Sequence, residues 1–352
     1  MPVSTRTRGW QLARTGGVHV LLGCAALALV VPMIATGTYV FTWTTAVIWA
    51  LFAMATNVLF GWSGLLSFGQ TAFFGLGGYT VALIHENRGN VDGLLLLAVA
   101  AVVAAVAGAA FSVIALRSTG AEFAVLTLVL AQVLWLLTNR VRALHGEDGI
   151  GGLYSITILG RELASDEQTW YTFVAIAAVC CWLLWMLHRS TLGAAMRAVR
   201  DDAHRAAALG IRVRRVQVLA FAIGSAFSAV AGGMLGLQQG VVSPTMLSLT
   251  ISGQVLVACL VGGLRVFGGP VLGAVVLILA QQALSGVATD STMFVGILLL
   301  VIVLVLPSGL TSLPGVLAAH LPALRRRARG PSPVTADPAP ATAPKAGTET
   351  RS

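Results

Sequence analysis

Long apolar runs separated by short polar segments are the dominant pattern of this 352-residue chain. A helix of about 20 apolar residues crosses the hydrocarbon core of a bilayer, and runs of that length recur along most of the sequence. The runs are far longer than barrel strands, so we expect an all-α polytopic membrane protein. The pattern predicts about ten transmembrane helices, at 18–36, 39–60, 70–85, 93–115, 121–138, 170–188, 217–238, 250–264, 269–286 and 293–310.

The positions of the arginines predict how these spans are oriented. Residues 189–215 carry seven arginines and two aspartates, whereas residues 216–264 carry no Asp, Glu, Lys or Arg. Loops rich in arginine stay on the cytoplasmic side, so residues 189–216, the docking loop, should be cytoplasmic. Ten spans with both termini in the cytoplasm also put the terminal arginines on that side: Arg6, Arg8, Arg14, Arg325, Arg326, Arg327 and Arg329.

The same pattern divides the chain into three parts. Residues 1–17 form a cytoplasmic N-terminus, residues 18–310 a transmembrane domain that includes the docking loop, and residues 311–352 a cytoplasmic tail. The end of this basic tail, 330–352, is rich in Pro, Ala and Thr and is expected to be disordered. The basic flank of the first run also fits a signal peptide, but its length and the lack of a small-x-small cleavage site favour an uncleaved span.

Composition and charge exclude several classes of protein. The chain is 57% hydrophobic and 10% charged, whereas soluble domains are about a quarter charged. The net charge of +9 is explained by loop arginines on one side of the membrane, so it does not predict nucleic-acid binding. Lys345, in the tail, is the only lysine, which excludes both a phosphate-binding P-loop and an intramembrane Schiff base.

Enzymatic chemistry has no support in the sequence. The four cysteines all lie in apolar runs without zinc-ligand spacing and are interpreted as buried hydrophobic residues. No hydrolytic triad, metal motif or nucleotide fingerprint is present. We therefore predict a protein that is not an enzyme, with no metal site and no cofactor bound by this chain.

Glycines and small polar residues interrupt the hydrophobic run at 57–80. Broken helices are tolerated at membrane depth where protein or a water-filled cavity covers the backbone, and such breaks often mark the substrate path of a transporter. Close helix packing through glycine is the alternative interpretation. A second glycine-rich break lies at 262–273. The predicted path residues are Gly61, Ser63, Gly64, Ser67, Gly69, Gln70, Gly75, Gly77 and Gly78.

A row of small residues follows the docking loop at a spacing of four. Such a row allows a neighbouring helix backbone to approach closely, so it predicts helix packing against another span or a second membrane subunit. The row comprises Ala220, Gly224, Ser228, Gly232, Gly236 and Gly240.

The docking loop has the clearest amphipathic pattern in the chain. Its apolar row predicts one helix that ends at Gly210 as the C-cap and docks in a groove of a partner. A helix lying on anionic membrane lipid is the alternative. The row consists of Leu192, Met196, Val199, Ala203, Ala206 and Leu209.

Two carboxylates near span boundaries are candidates for ion coupling. Glu122 lies near the start of one span and Asp290 near an outer boundary. Intramembrane carboxylates can serve proton relays, but both positions lie near an interface, where hydration of the carboxylate is the simpler explanation. An ion-coupled secondary transporter is therefore an alternative class for this protein, and solute uptake by such a transporter would depend on Glu122.

Five ordered motifs resemble a known family. The strings GWSGLLSFGQTAFFGLGGYTVAL, RSTLGAAMRAVRDDAHRAAALGIRV, LAFAIGSAFSAVAGGMLG, VGGLRVFGGPVLGA and LPSGL (residues 306–310) look like those of the membrane permease subunits of branched-chain amino-acid ABC importers, the LivM type. The resemblance covers roughly residues 45–310. Permeases for urea and short-chain amides share these motifs, so both substrate classes stay open.

The resemblance implies a passive transport subunit of the bacterial cytoplasmic membrane. A second related permease, two cytoplasmic ATPases that use ATP and an extracytoplasmic solute-binding protein would complete the importer. The family loop usually has more Glu, whereas here His204 and Arg205 follow the aspartates. By resemblance, residues 193–210 form the helix that couples to the ATPase, through Gly193, Met196, Arg197, Arg200, Asp201, Asp202, Ala206, Leu209 and Gly210.

Overall fold

A computed structural model describes residues 38–89, 91–141, 144–153, 157–158, 161–162, 165–264 and 266–285. Each of the eight apolar runs predicted between residues 39 and 286 coincides with a helix in this part of the chain. The predicted spans at 18–36 and 293–310, Asp290 and the C-terminal tail lie outside the described residues.

Ten α-helices account for most of the described residues. The first continues into a π-helical turn, Val58–Trp62, and short 3₁₀ turns cover Gly146–Asp148 and Pro244–Leu247. The α-helices are α1 Thr38–Asn57, α2 Gln70–Arg88, α3 Gly93–Ala115, α4 Gly120–Arg140, α5 Asp166–Arg189, α6 Thr191–Asp201, α7 Ala203–Ala208, α8 Val213–Gln239, α9 Leu249–Gly262 and α10 Gly269–Ser285.

Among these described helices, five segments are long and apolar enough to cross a membrane: Tyr39–Trp62, Gly93–Ala115, Gly120–Arg140, Asp166–Arg189 and Val213–Gln239. Two shorter apolar helices, Leu249–Gly262 and Gly269–Ala283, accompany them. The prediction of a helical, multi-pass membrane protein is confirmed.

Helix α8 lies at the centre of the bundle and packs against α1, α2 and α3. A Cβ atom at Gly232 would lie 1.8 Å from the Phe74 carbonyl oxygen, and one at Gly224 would lie 2.3 Å from Leu59 Cδ1. The row of small residues on α8 therefore brings helices of the same chain together. Of the two partners that the sequence left open, the structure selects another span of this chain.

Two groups of contacts show that α1 and α5 run in the same direction and that α8 runs antiparallel to α1. At the docking end, defined here as the end that carries α6 and α7, the ring of Trp62 lies 4.8 Å from the ring of His188 and 5.9 Å from that of Phe267. At the opposite end, Gln238 Nε2 donates to the carbonyl of Phe41 over 2.8 Å. The ends of α1, α5 and α9 consequently meet at the docking end.

A small irregular cap covers part of the opposite end. Strand β1 (Ile150–Gly151) pairs antiparallel with β4 (Val241–Val242), and β2 (Thr157–Ile158) pairs with β3 (Arg161–Glu162). The 3₁₀ turn Pro244–Leu247 follows β4 and inserts into the bundle against α2. The cap thereby packs on the end of the bundle opposite the docking loop.

Candidate functional site: the broken helix and the docking loop

The predicted break in the hydrophobic run is present. Helix α1 ends in the π-helical turn, and residues 64–69 are non-helical before α2 begins at Gln70. Gly64 has a φ of +71°, a left-handed conformation that glycine adopts without steric cost. The broken segment, residues 58–69, thus joins two antiparallel helices within the bundle.

Hydroxyl groups of neighbouring helices satisfy the irregular backbone. The amide of Phe68 donates to Thr127 Oγ1 of α4 over 3.2 Å, and Ser252 Oγ of α9 donates to the Phe68 carbonyl over 2.8 Å. Ser67 Oγ accepts from the amide of Gly69. Non-helical backbone is tolerated among apolar helices only when its polar groups find such partners. Thr127 and Ser252 were missed at the sequence level, where an isolated hydroxyl in an apolar run gives little signal.

Gln70 begins a buried polar cluster in the bundle. Its Oε1 accepts a hydrogen bond from Ser228 Oγ over 3.0 Å, and the hydroxyls of Thr71 and Ser252 lie 2.5 Å apart. Gln70 Nε2 and Ser225 Oγ are buried and have no hydrogen-bond partner among the described residues. Buried polar groups are normally satisfied, so these two atoms leave hydrogen-bonding capacity for water or a solute.

The predicted path residues occupy two different environments. Gly64 is exposed, whereas the other eight are buried. Within α2, Gly77 packs on the Ala229 carbonyl, and Gly75 accommodates the side chain of Leu247 from the cap. Gly78 lies against Val242, so these three glycines serve close packing, the alternative that the sequence left open. The polar residues of the broken segment remain the candidates for a translocation path.

The docking loop differs from its predicted form in one respect. The single helix predicted over 193–210 is wrong, because Asp202 adopts extended dihedrals (φ −164°, ψ 105°) and separates α6 from α7. Its Oδ1 accepts from the amides of His204 and Arg205, each over 3.0 Å, and so acts as the N-cap of α7. The helix ends at Ala208 with Leu209 as its C-cap, one residue before the predicted Gly210, which has a φ of +84° and donates its amide to the Ala207 carbonyl.

The apolar row of the docking loop does not face outward as a whole. Met196, Val199 and Ala206 are buried against the chain's own bundle, with exposures of 0%, 5% and 2%. Ala203 and Leu209 are exposed, the latter at 81%. The interpretation that the whole row fits a partner's groove therefore needs correction, because bundle packing accounts for its buried members. The exposed residues of the loop include Asp201, most of α7, Leu209 and the arginines at 212, 214 and 215.

Arginines fasten the docking loop to the bundle. Arg197 Nη1 donates to the His188 carbonyl at the end of α5 over 2.7 Å, and Arg200 Nη1 donates to the Gly61 carbonyl over 2.6 Å. Burial lowers the pKa of Arg197, and the nearby charge of Arg200 acts in the same direction. A Cβ at Gly193 would lie 2.3 Å from the Leu187 carbonyl, which makes this glycine a packing position at the start of α6.

The other candidates for chemistry lie in ordinary positions. Glu122 is exposed in the first turn of α4, and no Asp or Glu with a described side chain is buried. Cys180, Cys181 and Cys259 are buried, as predicted, while Cys24 lies outside the described residues. Within the described part of the chain, no group of three or more His, Cys, Asp or Glu residues is arranged to hold a metal ion.

These features define a multi-pass helical membrane protein with a broken helix in its interior and a helical docking loop at one end. Residues 38–306 match the family model described as the branched-chain amino acid transport system / permease component. The chain belongs to this family, whose members are multi-pass proteins of the bacterial inner membrane.

Individual relatives agree with the family assignment. The chain is 27% identical over 314 residues to the high-affinity branched-chain amino acid permease LivM of Escherichia coli K12. The aligned region covers 82% of this chain and 74% of that relative. It is 33% identical over 147 residues to LivH of the same strain, 41% of this chain and 46% of the relative. The autoinducer 2 import permease LsrC of E. coli O9:H4 is 27% identical over 108 residues, 30% of each chain. No solved structure matches the chain.

Proposed function

We propose that this chain is a permease subunit of an ABC importer that translocates branched-chain amino acids across the cytoplasmic membrane. The similarity to LivM over 82% of the chain is the observation that carries the substrate assignment. The chain would be a transport subunit rather than an enzyme, and ATP would be hydrolysed by partner subunits.

The proposed assembly contains a second related permease, two cytoplasmic ATPases and an extracytoplasmic solute-binding protein, all surrounded by membrane lipid. Ten transmembrane helices with both termini in the cytoplasm would place the docking loop on the ATPase side. The proposed domain limits remain 1–17, 18–310 and 311–352. The ring contacts of Trp62 with His188 and Phe267 support this arrangement, because they bring the docking loop and the ends of α1 and α9 to one side.

In the proposed transport cycle, closure of the ATPase dimer moves α6 and α7. The broken segment then moves, and the buried polar cluster becomes accessible from the other side of the membrane. The hydrogen-bonding capacity of Gln70 Nε2 and Ser225 Oγ supports a path for a polar backbone group of the solute. Coupling would use the residues 193–210, with Asp201 and Leu209 among the exposed contacts. The solute-binding protein would supply most of the selectivity.

Uptake of labelled leucine in cells with and without this gene tests the proposed function. We expect deletion to abolish the uptake that isoleucine and valine compete, and the intact gene to restore it. Loss of urea or acetamide uptake with normal leucine uptake would show that the substrate is urea or a short-chain amide, and the assignment as an ABC importer would stand. Uptake that collapses with an uncoupler and requires Glu122 would identify the rival secondary transporter, and unchanged uptake of every solute would contradict transport in this strain.

Charge reversal at the docking loop tests the proposed contact with the ATPases. The side chain of Asp201 is 70% exposed, and that of Asp202 caps α7. Asp201→Arg combined with Asp202→Arg should reduce leucine transport by about tenfold or more while the protein stays in the membrane, because the pair inverts the charge of this surface and removes the N-cap of α7. Co-purification of the ATPases with the permease measures the contact directly.

A matched control separates the charge from the fold of the loop. Asparagine caps helices about as well as aspartate, so Asp202→Asn should preserve α7 and co-purify with the ATPases. Wild-type transport and co-purification by the double arginine variant would contradict a role for this surface in ATPase binding.

A further inference from the structure

We propose that Arg200 is a positioning residue that ties the docking loop to the broken helix, so that movement of α6 is transferred to the π-helical turn. The inference rests on the proposed function but assigns Arg200 to the permease interior, whereas the sequence placed it among the ATPase contacts. The side chain is 25% exposed and points into its own chain.

The guanidinium group of Arg200 makes two kinds of contact. Nη1 donates to the Gly61 carbonyl over 2.6 Å, across 139 positions of sequence. Nε and Nη2 donate to Asp201 Oδ1 over 3.1 and 2.9 Å. Asp201 thereby orients the planar guanidinium of Arg200, whose third nitrogen, Nη1, binds the Gly61 carbonyl. The single ammonium of a lysine does not reproduce this geometry.

The Gly61 carbonyl is available because of its place in the chain. It lies in the π-helical turn that ends α1, and the last carbonyls of a helix lack donors within that helix. A hydrogen bond to a charged donor is stronger than one between neutral groups. Arg200 therefore binds the end of α1 at the residue where the helix stops.

Because Gly64 has no side chain, the methylene groups of Arg200 can pack against its backbone. A Cβ atom at Gly64 would lie 2.8 Å from Arg200 Cγ and 3.4 Å from its Cα and Cβ. The arginine consequently contacts the broken segment on both sides of its turn, at Gly61 through the guanidinium and at Gly64 through the methylene groups. A shift of α6 must displace this segment or break both contacts.

Arg197 provides a useful contrast on the same helix. Its Nη1 binds the His188 carbonyl, only nine positions away, and so braces α6 against the end of α5 from which it emerges. Arg200 is the arginine of α6 that reaches the broken segment. The two residues therefore have different functions, and loss of Arg200 should uncouple the loop from the path without detaching the loop.

The test uses the complete importer in proteoliposomes, with leucine uptake and ATP hydrolysis measured on the same sample. We expect Arg200→Ala to lower the leucine transported per ATP hydrolysed by about tenfold, the effect of losing one hydrogen bond to a charged group, while ATP hydrolysis continues. Arg200→Lys should fall between this variant and the wild type. Arg117→Ala, which removes an exposed arginine between α3 and α4, outside the docking loop, is the matched control and should transport normally.

The outcomes separate this inference from the proposed function. An unchanged ratio of leucine to ATP in Arg200→Ala would overturn the inference while leaving an active importer. Loss of the ATPases from the Arg200→Ala complex would also overturn it, because Arg200 would then be an ATPase contact. A wild-type complex that transports no leucine would instead overturn the proposed function.

Crosslinking tests the contact even if Arg200→Ala fails to assemble. The 3.4 Å between the two Cβ positions is close to the range of about 3.5–4.5 Å for disulfides. With the four native cysteines replaced by alanine, the pair Gly64→Cys and Arg200→Cys should form a disulfide without nucleotide. The pair Gly64→Cys and Tyr39→Cys lies at opposite ends of α1, about 27 Å apart along the helix, and should not form a disulfide. Equal crosslinking of both pairs, or none in the first, would overturn the contact.

Discussion

Gly232→Ala is expected to abolish the folded permease. Its new methyl group would lie 1.8 Å from the Phe74 carbonyl oxygen, at the contact between α8 and α2. Backbone atoms of two packed helices cannot yield locally, so the helices must separate, at a cost of about 3 kcal/mol or more. We expect most of the purified protein to lose its monodisperse peak on size exclusion in detergent and the remainder to melt at a clearly lower temperature.

Gly253→Ala is the matched control for this substitution. Gly253 lies in α9, and a Cβ atom there meets no other atom within 4 Å. Because alanine is also the better helix former by about 1 kcal/mol, this variant should be as stable as the wild type or slightly more stable. Equal melting temperatures for the two variants would show that the approach of α8 to α2 is looser than described.

Removing both hydroxyls that hold Phe68 is expected to release the broken segment. In the double variant Thr127→Val with Ser252→Val, the Phe68 amide and carbonyl lose their partners. A buried backbone group without a partner costs about 1–3 kcal/mol, and the two losses fall on one residue. We expect faster amide hydrogen exchange in residues 63–69 and a large loss of leucine transport, with the rest of the bundle still protected.

The control for the double variant is Thr80→Val. The Thr80 hydroxyl donates to the Leu76 carbonyl of its own helix, so its removal leaves no non-helical backbone unsatisfied. Exchange in residues 63–69 should then match the wild type. Transport at the wild-type rate in the double variant would show that the segment does not depend on these two hydroxyls.

The sequence alone determined the class of the protein and the position of its helices. Apolar runs of membrane-spanning length give a signal that needs no tertiary information, because a lipid environment requires each span to satisfy its own backbone. The end of the helical segment beside Gly210 was predictable for a similarly local reason, since a positive φ at a helix end favours glycine. The break at residues 64–69 was visible in the spacing of its glycines.

The tertiary structure decided which surface each pattern serves. The apolar row of the docking loop predicts burial but not the partner, and Met196 is buried in its own bundle. Asp202 interrupts the predicted helix because its carboxylate caps α7, a choice between two local structures that helical periodicity does not register. Gly77 was predicted to lie on the path, and only the position of the Ala229 carbonyl shows that it serves helix packing, the role that the spacing had already predicted for Gly232.

The contacts of Arg200 show most clearly what could not be predicted from the sequence. From sequence, an arginine on a charged loop predicts exposure to solvent, lipid or a partner, because its charge is costly to bury. Only the folded chain brings the unpaired carbonyl of Gly61 to within 2.6 Å of its guanidinium. The sequence determined that this protein spans the membrane and carries an arginine-rich loop. The tertiary structure determined that this loop is hydrogen-bonded to the broken segment, because contacts between distant residues exist only once the helices have packed.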